Sequence, residues 1–168
     1  MTILYANPYN LDANGFYFSS VEEYNDKAAN LKDRYGNEVE EFSIEYIEGD
    51  DGQLFRACGV DQTNLATWFD DVEPLEEHQK AALYYLTDCN GYRLSDALDK
   101  LDDMSMFDGS LYDAATELFN DCYLSDVPEA VQPYIDYEAF ANDCRLGGDM
   151  YEFRLDGTTW TVTNAGEV

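Results

Sequence analysis

The chain has 168 residues, 36 of them Asp or Glu against nine Lys or Arg, for a formal net charge of −27. Hydrophobic residues make up 45% and aromatics 15%, enough to build cores, which excludes a disordered polyelectrolyte and fits one domain or a few small subdomains. Such a charge repels nucleic acid and anionic membranes and is drawn to basic surfaces, while self-repulsion weakens the fold at low salt.

Ile3 to Ala6 reads as a short strand stopped by Asn7-Pro8, and Phe16 to Phe18 as a second. Ser20 with Glu23 forms a capping box. Val21, Tyr24, Ala28, Leu31 and Tyr35 then recur at helical spacing, which predicts a helix closed by Gly36. Phe42, Ile44 and Tyr46 alternate with Glu41, Ser43 and Glu45, the pattern of a half-buried strand. Gly49 to Gly52 is a turn, and Leu54 to Cys58 reads as a further strand. Residues 1–60 are therefore expected to form an α+β subdomain, a helix on an antiparallel sheet.

From Asp61 the pattern becomes helical. Asp61 is expected to cap Gln62 to Phe69, with Leu65, Trp68 and Phe69 facing a core. Pro74 opens the next helix, whose inner face is Leu75, Gln79, Ala82, Leu83 and Leu86 and which Asn90-Gly91 breaks. Ser95 is expected to cap a third helix carrying Ala97, Leu98 and Leu101. Residues 61–103 make an all-helical middle subdomain.

Met104 to Phe107 reads as a strand, and Ser110 with Asp113 starts a helix bearing Leu111, Ala115, Leu118, Phe119 and Cys122. In the stretch that follows, Pro128 suits the first turn of a short helix that Pro133 ends. Asp136 caps a second helix, Tyr137 to about Arg145, with Tyr137, Phe140, Ala141 and Cys144 on one face and Gly147 after its end. Met150 to Leu155 and Thr158 to Thr163 are strands joined by Asp156-Gly157, a strong hairpin signal. Residues 104–168 are thus a second α+β subdomain, and the expected architecture is an α+β elongated chain of three small subdomains.

The acids fall on outer helix faces. Glu22, Glu23 and Asp26 share one helix, Asp70, Asp71, Glu73, Glu76 and Glu77 surround the next two, Asp96, Asp99, Asp102 and Asp103 follow, and Asp113, Glu117 and Asp121 line another. A single acidic face is ordinary solvation; nearly every helix carrying one indicates an extended anionic surface. Duplex DNA carries one charge per about 1.7 Å of axis, so 27 charges correspond to roughly 46 Å of duplex. The arithmetic permits mimicry of DNA without proving it; the alternatives are a halophile's solvated surface or a generally acidic cytosolic protein.

Other chemistries find little support. Asp88-Cys89-Asn90-Gly91 and Gly49-Asp50-Asp51-Gly52 lack the alternating acids and the glycine position of a calcium loop. Cys58, Cys89, Cys122 and Cys144 are widely spaced, and His78 is the only histidine, which is not a zinc pattern. A two-metal nuclease built from scattered carboxylates would have to overcome repulsion of its own substrate. No phosphate loop, dinucleotide fingerprint or nucleophile elbow is present. The reading is a non-enzyme with no catalytic, cofactor or metal residues. The amino terminus, MTILYANPYN, has no basic segment before a long apolar run, and no apolar stretch approaches transmembrane length; a cytoplasmic protein with free thiols is expected.

Val127-Pro128, then Tyr134-Ile135-Asp136-Tyr137-Glu138-Ala139-Phe140, Asn142-Asp143 and Gly148-Asp149-Met150 resemble the signature of ArdA-type antirestriction proteins. Tyr5-Ala6-Asn7, Gly15 to Phe18 and Glu41 to Ile44 keep the order of that family's first part, so the resemblance spans nearly the whole chain. It departs at Asn142, where the family usually has Arg, and at Cys144, where an aliphatic residue is usual. The resemblance implies an acidic DNA mimic, borne by plasmids or phages, that blocks type I restriction–modification enzymes at their methyltransferase core without binding nucleic acid itself. It also implies a homodimer, with Val127, Pro128, Tyr134, Ile135, Asp136, Tyr137 and Phe140 as candidate interface or motif residues. Mimicry aimed at a CRISPR effector, a repressor or a nucleoid protein is the alternative.

Overall fold

A computed structural model describes all of residues 1–168. The fold is α+β, with seven helices and two three-stranded antiparallel sheets. It divides into two compact units, Met1–Glu76 and Glu77–Val168.

In the first unit, strands β1 (Ile3–Pro8), β2 (Phe16–Phe18) and β3 (Phe42–Glu48) form a sheet in the order β2-β1-β3. Leu4, Ala6, Phe18 and Phe42 point to its buried face. Strand β1 runs through Asn7-Pro8, where the sequence indicated a stop, and Pro8 pairs with Phe42 at its end. Helix α1 (Val21–Asn30) starts as expected, with the Glu23 amide donating to Ser20 Oγ at 3.2 Å. The Glu23 carboxylate reaches back one residue further than a capping box requires, to the Ser19 amide at 2.8 Å.

Helix α1 stops at Asn30 rather than at Gly36. The cause is Asp33, only 9% exposed, whose carboxylate accepts from the amides of Tyr35 and Asn37 and from the side chains of Asn10 and Asn37. A local carboxylate that satisfies backbone donors outside a helix competes with helix continuation. Tyr35, the last member of the expected stripe, is consequently exposed.

Leu54 to Cys58 is helical, not extended: α2 spans Gly52–Ala57. Leu54, Phe55 and Cys58 are all buried, a one-sided spacing that a helix provides and an alternating strand does not. Gly49 is held at φ 139°, and a Cβ there would lie 2.3 Å from the Tyr46 hydroxyl, which itself accepts from the Asp51 amide at 3.0 Å. Asp61 caps a turn through Thr63 and Asn64 instead of a long helix, and α3 is confined to Leu65–Thr67. It continues as a π-helical turn over Trp68–Val72, and Trp68 is fully buried, edge-on to Phe55 at 5.0 Å.

The second unit opens with α4 (Glu77–Tyr84), which starts three residues after Pro74 and runs into a second π-helical turn, Tyr85–Cys89. Ala82, Leu83 and Leu86 are buried as expected, together with Ala81 and Tyr85. Helix α5 is Leu94–Asp99, preceded by Arg93; Ser95 lies within its first turn and its hydroxyl goes to Asp96, so it is not the cap. Strands β4 (Met106–Asp108), β5 (Tyr151–Leu155) and β6 (Thr158–Val162) form a sheet in the order β4-β6-β5. Asp156 (φ 47°) and Gly157 (φ 89°) give the β5–β6 hairpin its turn. Phe153 packs between Tyr84 and Tyr85 with centroids at 5.8 and 5.9 Å, which seats the hairpin on α4.

Helix α6 (Leu111–Cys122) is capped by Ser110 and α7 (Tyr137–Gly147) by Asp136, whose carboxylate accepts from the Ala139 amide at 2.9 Å. The left-handed residue after α7 is Gly148 at φ 79°, one position beyond the expected Gly147. Leu111, Ala114, Ala115, Ala141, Cys144 and Met150 form one buried cluster. Pro133 does not end a helix: it lies inside a short 3-10 turn, Gln132–Tyr134, and the segment between α6 and α7 is a series of turns.

Candidate protein-binding surface

The charge is shared almost equally. Residues 1–76 hold 17 acids and 4 bases, and residues 77–168 hold 19 acids and 5 bases. One-for-one pairing with every Lys and Arg would still leave 27 acids without a basic partner.

The sequence-derived acids are nearly all exposed. On α1, Glu22 and Asp26 lie four residues apart on the outer face. Glu23 is half-buried and already occupied: Lys27 Nζ sits 2.7 Å from it, and that ammonium, with the Ser19 amide, holds its carboxyl below the usual range. Asp70 and Asp71 are exposed on the π turn, whereas Glu73 is half-buried and accepts from the Thr2 amide at 3.2 Å. Glu76 and Glu77 are exposed where the two units meet in sequence. Asp96 and Asp99 on α5, and Asp102 and Asp103 in the turn after it, face solvent. Asp113, Glu117 and Asp121 form a row at four-residue spacing along α6, Asp113 also accepting from Ser110 Oγ at 2.6 Å.

A second group of exposed acids belongs to no helix. Glu38, Glu40, Glu41, Glu45, Glu48 and Asp50 line β3 and its approaches. The alternation of Glu41, Ser43 and Glu45 was their signal in the sequence; attention to helix faces passes over it. Glu138 and Asp143 add exposed carboxylates on α7.

The motif residues separate into two kinds. Tyr137 and Phe140 pack within the chain, both edge-on to Phe119 of α6 at 5.5 and 5.2 Å. Tyr134 is 83% exposed, and Val127 and Ile135 are half-buried, with Pro128 exposed. Two adjoining depressions, of about 420 and 550 Å³, share Tyr112, Asp136 and Glu138 as walls. Asn142 and Arg145 line the second. Cys144 is buried in the core cluster, where a thiol serves as a small apolar group in place of an aliphatic side chain; burial, with Asp149 and Asp143 nearby, pushes its pKa up. No three His, Cys, Asp or Glu side chains converge to hold a metal ion, and no helix is long and apolar enough to cross a membrane.

These features define a class, a small α+β protein of two units that presents carboxylates over both. The model of the antirestriction protein family ArdA matches residues 9–156, and the chain belongs to that family. Its functional class is therefore antirestriction, inhibition of restriction–modification enzymes. No curated protein and no solved structure matches it.

Proposed function

We propose that the chain is a DNA mimic that occupies the DNA groove of a type I restriction–modification enzyme, at its methyltransferase core, and inhibits by competing with DNA. The observation that carries this reading is the surplus of carboxylates, distributed over both units on solvent-facing helix and strand positions. A basic groove that normally neutralises phosphates gains the same counterion release from such a surface. The protein catalyses no reaction and acts in the cytoplasm, where its target works.

The acting species in this reading is a homodimer joined through the 127–146 region. Tyr134 and Tyr112, exposed at the α7 depressions, supply apolar area there, and Val131 in the same region is exposed as well. Two chains of net −27 repel, so the association should tighten as salt rises, while inhibition of the target weakens. Opposite salt dependences of the two steps are a signature of this arrangement.

Competition with a purified type I methyltransferase tests the function. An excess of the protein should displace DNA from the enzyme, with an affinity that falls linearly in log salt. DNA binding that survives a large excess untouched would end the restriction reading.

A further inference from the structure

The sheet of the first unit buries Leu4, Ala6 and Phe18 on one face and leaves the other open to solvent, where Tyr17 is 58% and Ile47 48% exposed. On that open face three side chains form a row across all three strands. Tyr5 pairs in register with Tyr17 of β2 and with Glu45 of β3. The two rings lie 4.8 Å apart, tilted by 56°. Asn7 Nδ2 donates to Glu45 Oε1 at 3.1 Å, which fixes one carboxylate oxygen on the strand position paired with Tyr5. Tyr5 is also fixed from the far side: a Cβ on Gly15 would come within 2.5 Å of its hydroxyl, so only glycine lets the ring lie there. Lys27, which reaches this strand, is engaged by Glu23 and by the Tyr17 carbonyl, both at 2.7 Å.

Aromatic faces next to an oriented carboxylate suit one kind of occupant. A guanidinium stacks on an aromatic ring through its plane and forks onto a carboxylate with its N–H groups; an ammonium does neither in a plane. A carboxylate has about four acceptor positions, of which Asn7 uses one. A second copy of this chain brings net −27 to the same face and is disfavoured by charge. We propose that the Tyr17–Tyr5–Glu45 row is a docking site for an arginine side chain of a basic partner. This deepens the DNA-mimic reading and rests on it for the partner's identity: acids elsewhere supply long-range attraction, and this row supplies a contact that discriminates arginine from lysine.

The test uses the full-length ¹⁵N-labelled protein with nona-arginine and nona-lysine peptides as probes, at physiological salt. The arginine peptide should bind about fivefold tighter than its lysine counterpart, the gain expected of one stacked cation, and should shift the amides of Tyr5, Tyr17 and Glu45. Tyr17→Thr and Glu45→Gln, both at exposed positions, should each bring arginine affinity down to the lysine level with unchanged thermal unfolding. Equal affinities for the two peptides, or shifts spread over the acidic helices and insensitive to both substitutions, would overturn the proposal. Because the peptides replace the methyltransferase, failure here leaves the competition experiment standing. Loss of that competition with an intact arginine preference would in turn leave the site standing with a different basic partner.

Discussion

Tyr137 donates its hydroxyl proton to Asn120 Oδ1 at 2.7 Å, joining α7 to α6 within one chain. Its ring meets Phe119 edge-on, and Phe119 in turn contacts Tyr123 and Phe140. Tyr137 is thus part of the seam that positions the motif helix. Tyr134, three residues earlier, is the residue turned outward.

The two tyrosines should therefore respond differently. Tyr137→Phe removes one hydrogen bond and is expected to cost about 0.5–1.5 kcal/mol by urea unfolding without changing the association state. Tyr137→Asp inserts a charge beside Phe119 and should loosen the α6–α7 seam. Tyr134→Asp should leave the unfolding midpoint of the monomer unchanged and weaken dimerisation in sedimentation; a Tyr134→Asp protein that dimerises like the parent would place the interface elsewhere.

Asp33 should behave as an acid-sensitive clasp. Hydrogen bonds from the Asn37 side chain and amide, with those from Tyr35 and Asn10, hold its carboxyl below its ordinary value of 3.8. A depressed folded pKa means that its contribution is complete above the unfolded value and is lost as pH falls through the lower, folded one. The 31–41 segment should therefore stay closed at neutral and mildly acid pH and open only as pH falls through that lowered value. Amide exchange at Tyr35 and Asn37 reports this, and Asp33→Asn should speed exchange at both sites already at neutral pH.

Neutralising the α5 acids should separate stability from inhibition. Asp96, Asp99, Asp102 and Asp103 crowd eight residues and are exposed. Asp→Asn at all four removes mutual repulsion, so the thermal midpoint at low salt should rise by a few degrees, corresponding to about 1 kcal/mol. Affinity for a basic groove should fall, and the slope of log affinity against log salt should shrink by up to about four. A midpoint that drops on neutralisation would show that these carboxylates make contacts that matter more to the fold than their repulsion.

Trp68 should anchor the first unit. It is fully buried and its indole Nε1 has no hydrogen-bond partner in the chain. Trp68→Ala is expected to cost about 3–5 kcal/mol, the range for large buried aromatics. Trp68→Phe leaves a smaller void and removes the unpaired N–H, so its cost should be clearly lower by the same unfolding measurement.

Much of this fold could be read where chemistry is local. The Ser20, Ser110 and Asp136 caps and the Asp156-Gly157 turn all act over two to four residues, and each falls where its neighbours indicate. What escaped depends on partners distant in sequence or on ambiguous length. Helix α1 loses its last turn because Asn10, more than twenty residues away, helps hold Asp33 outside the helix. Leu54 to Cys58 is an apolar run too short for periodicity to separate helix from strand. The two π-helical turns, at Trp68 and Tyr85, leave no mark in the pattern of apolar residues.

The candidate surface was legible to the same degree. Helical period places Glu22, Asp26, Asp99 and Glu117 outward, as found. It does not reveal that Glu73 is committed to the Thr2 amide; Glu23 was signalled by its capping box with Ser20, although its carboxylate reaches Ser19 instead. The strand acids were signalled by the alternation of Glu41, Ser43 and Glu45, but the Tyr5–Tyr17–Glu45 row required the β1–β3 register, which pairs residues some forty positions apart.

Neither sheet borrows a strand across the Glu76–Glu77 boundary: β1 to β3 lie wholly before it and β4 to β6 wholly after. Synthesis from the ribosome delivers the chain in that order, and units with complete internal pairing generally fold as they emerge. The first 76 residues can therefore close their sheet, with its row of Tyr17, Tyr5 and Glu45, before the second unit has fully emerged. Half of the anionic surface is then shaped while the other half is still being assembled.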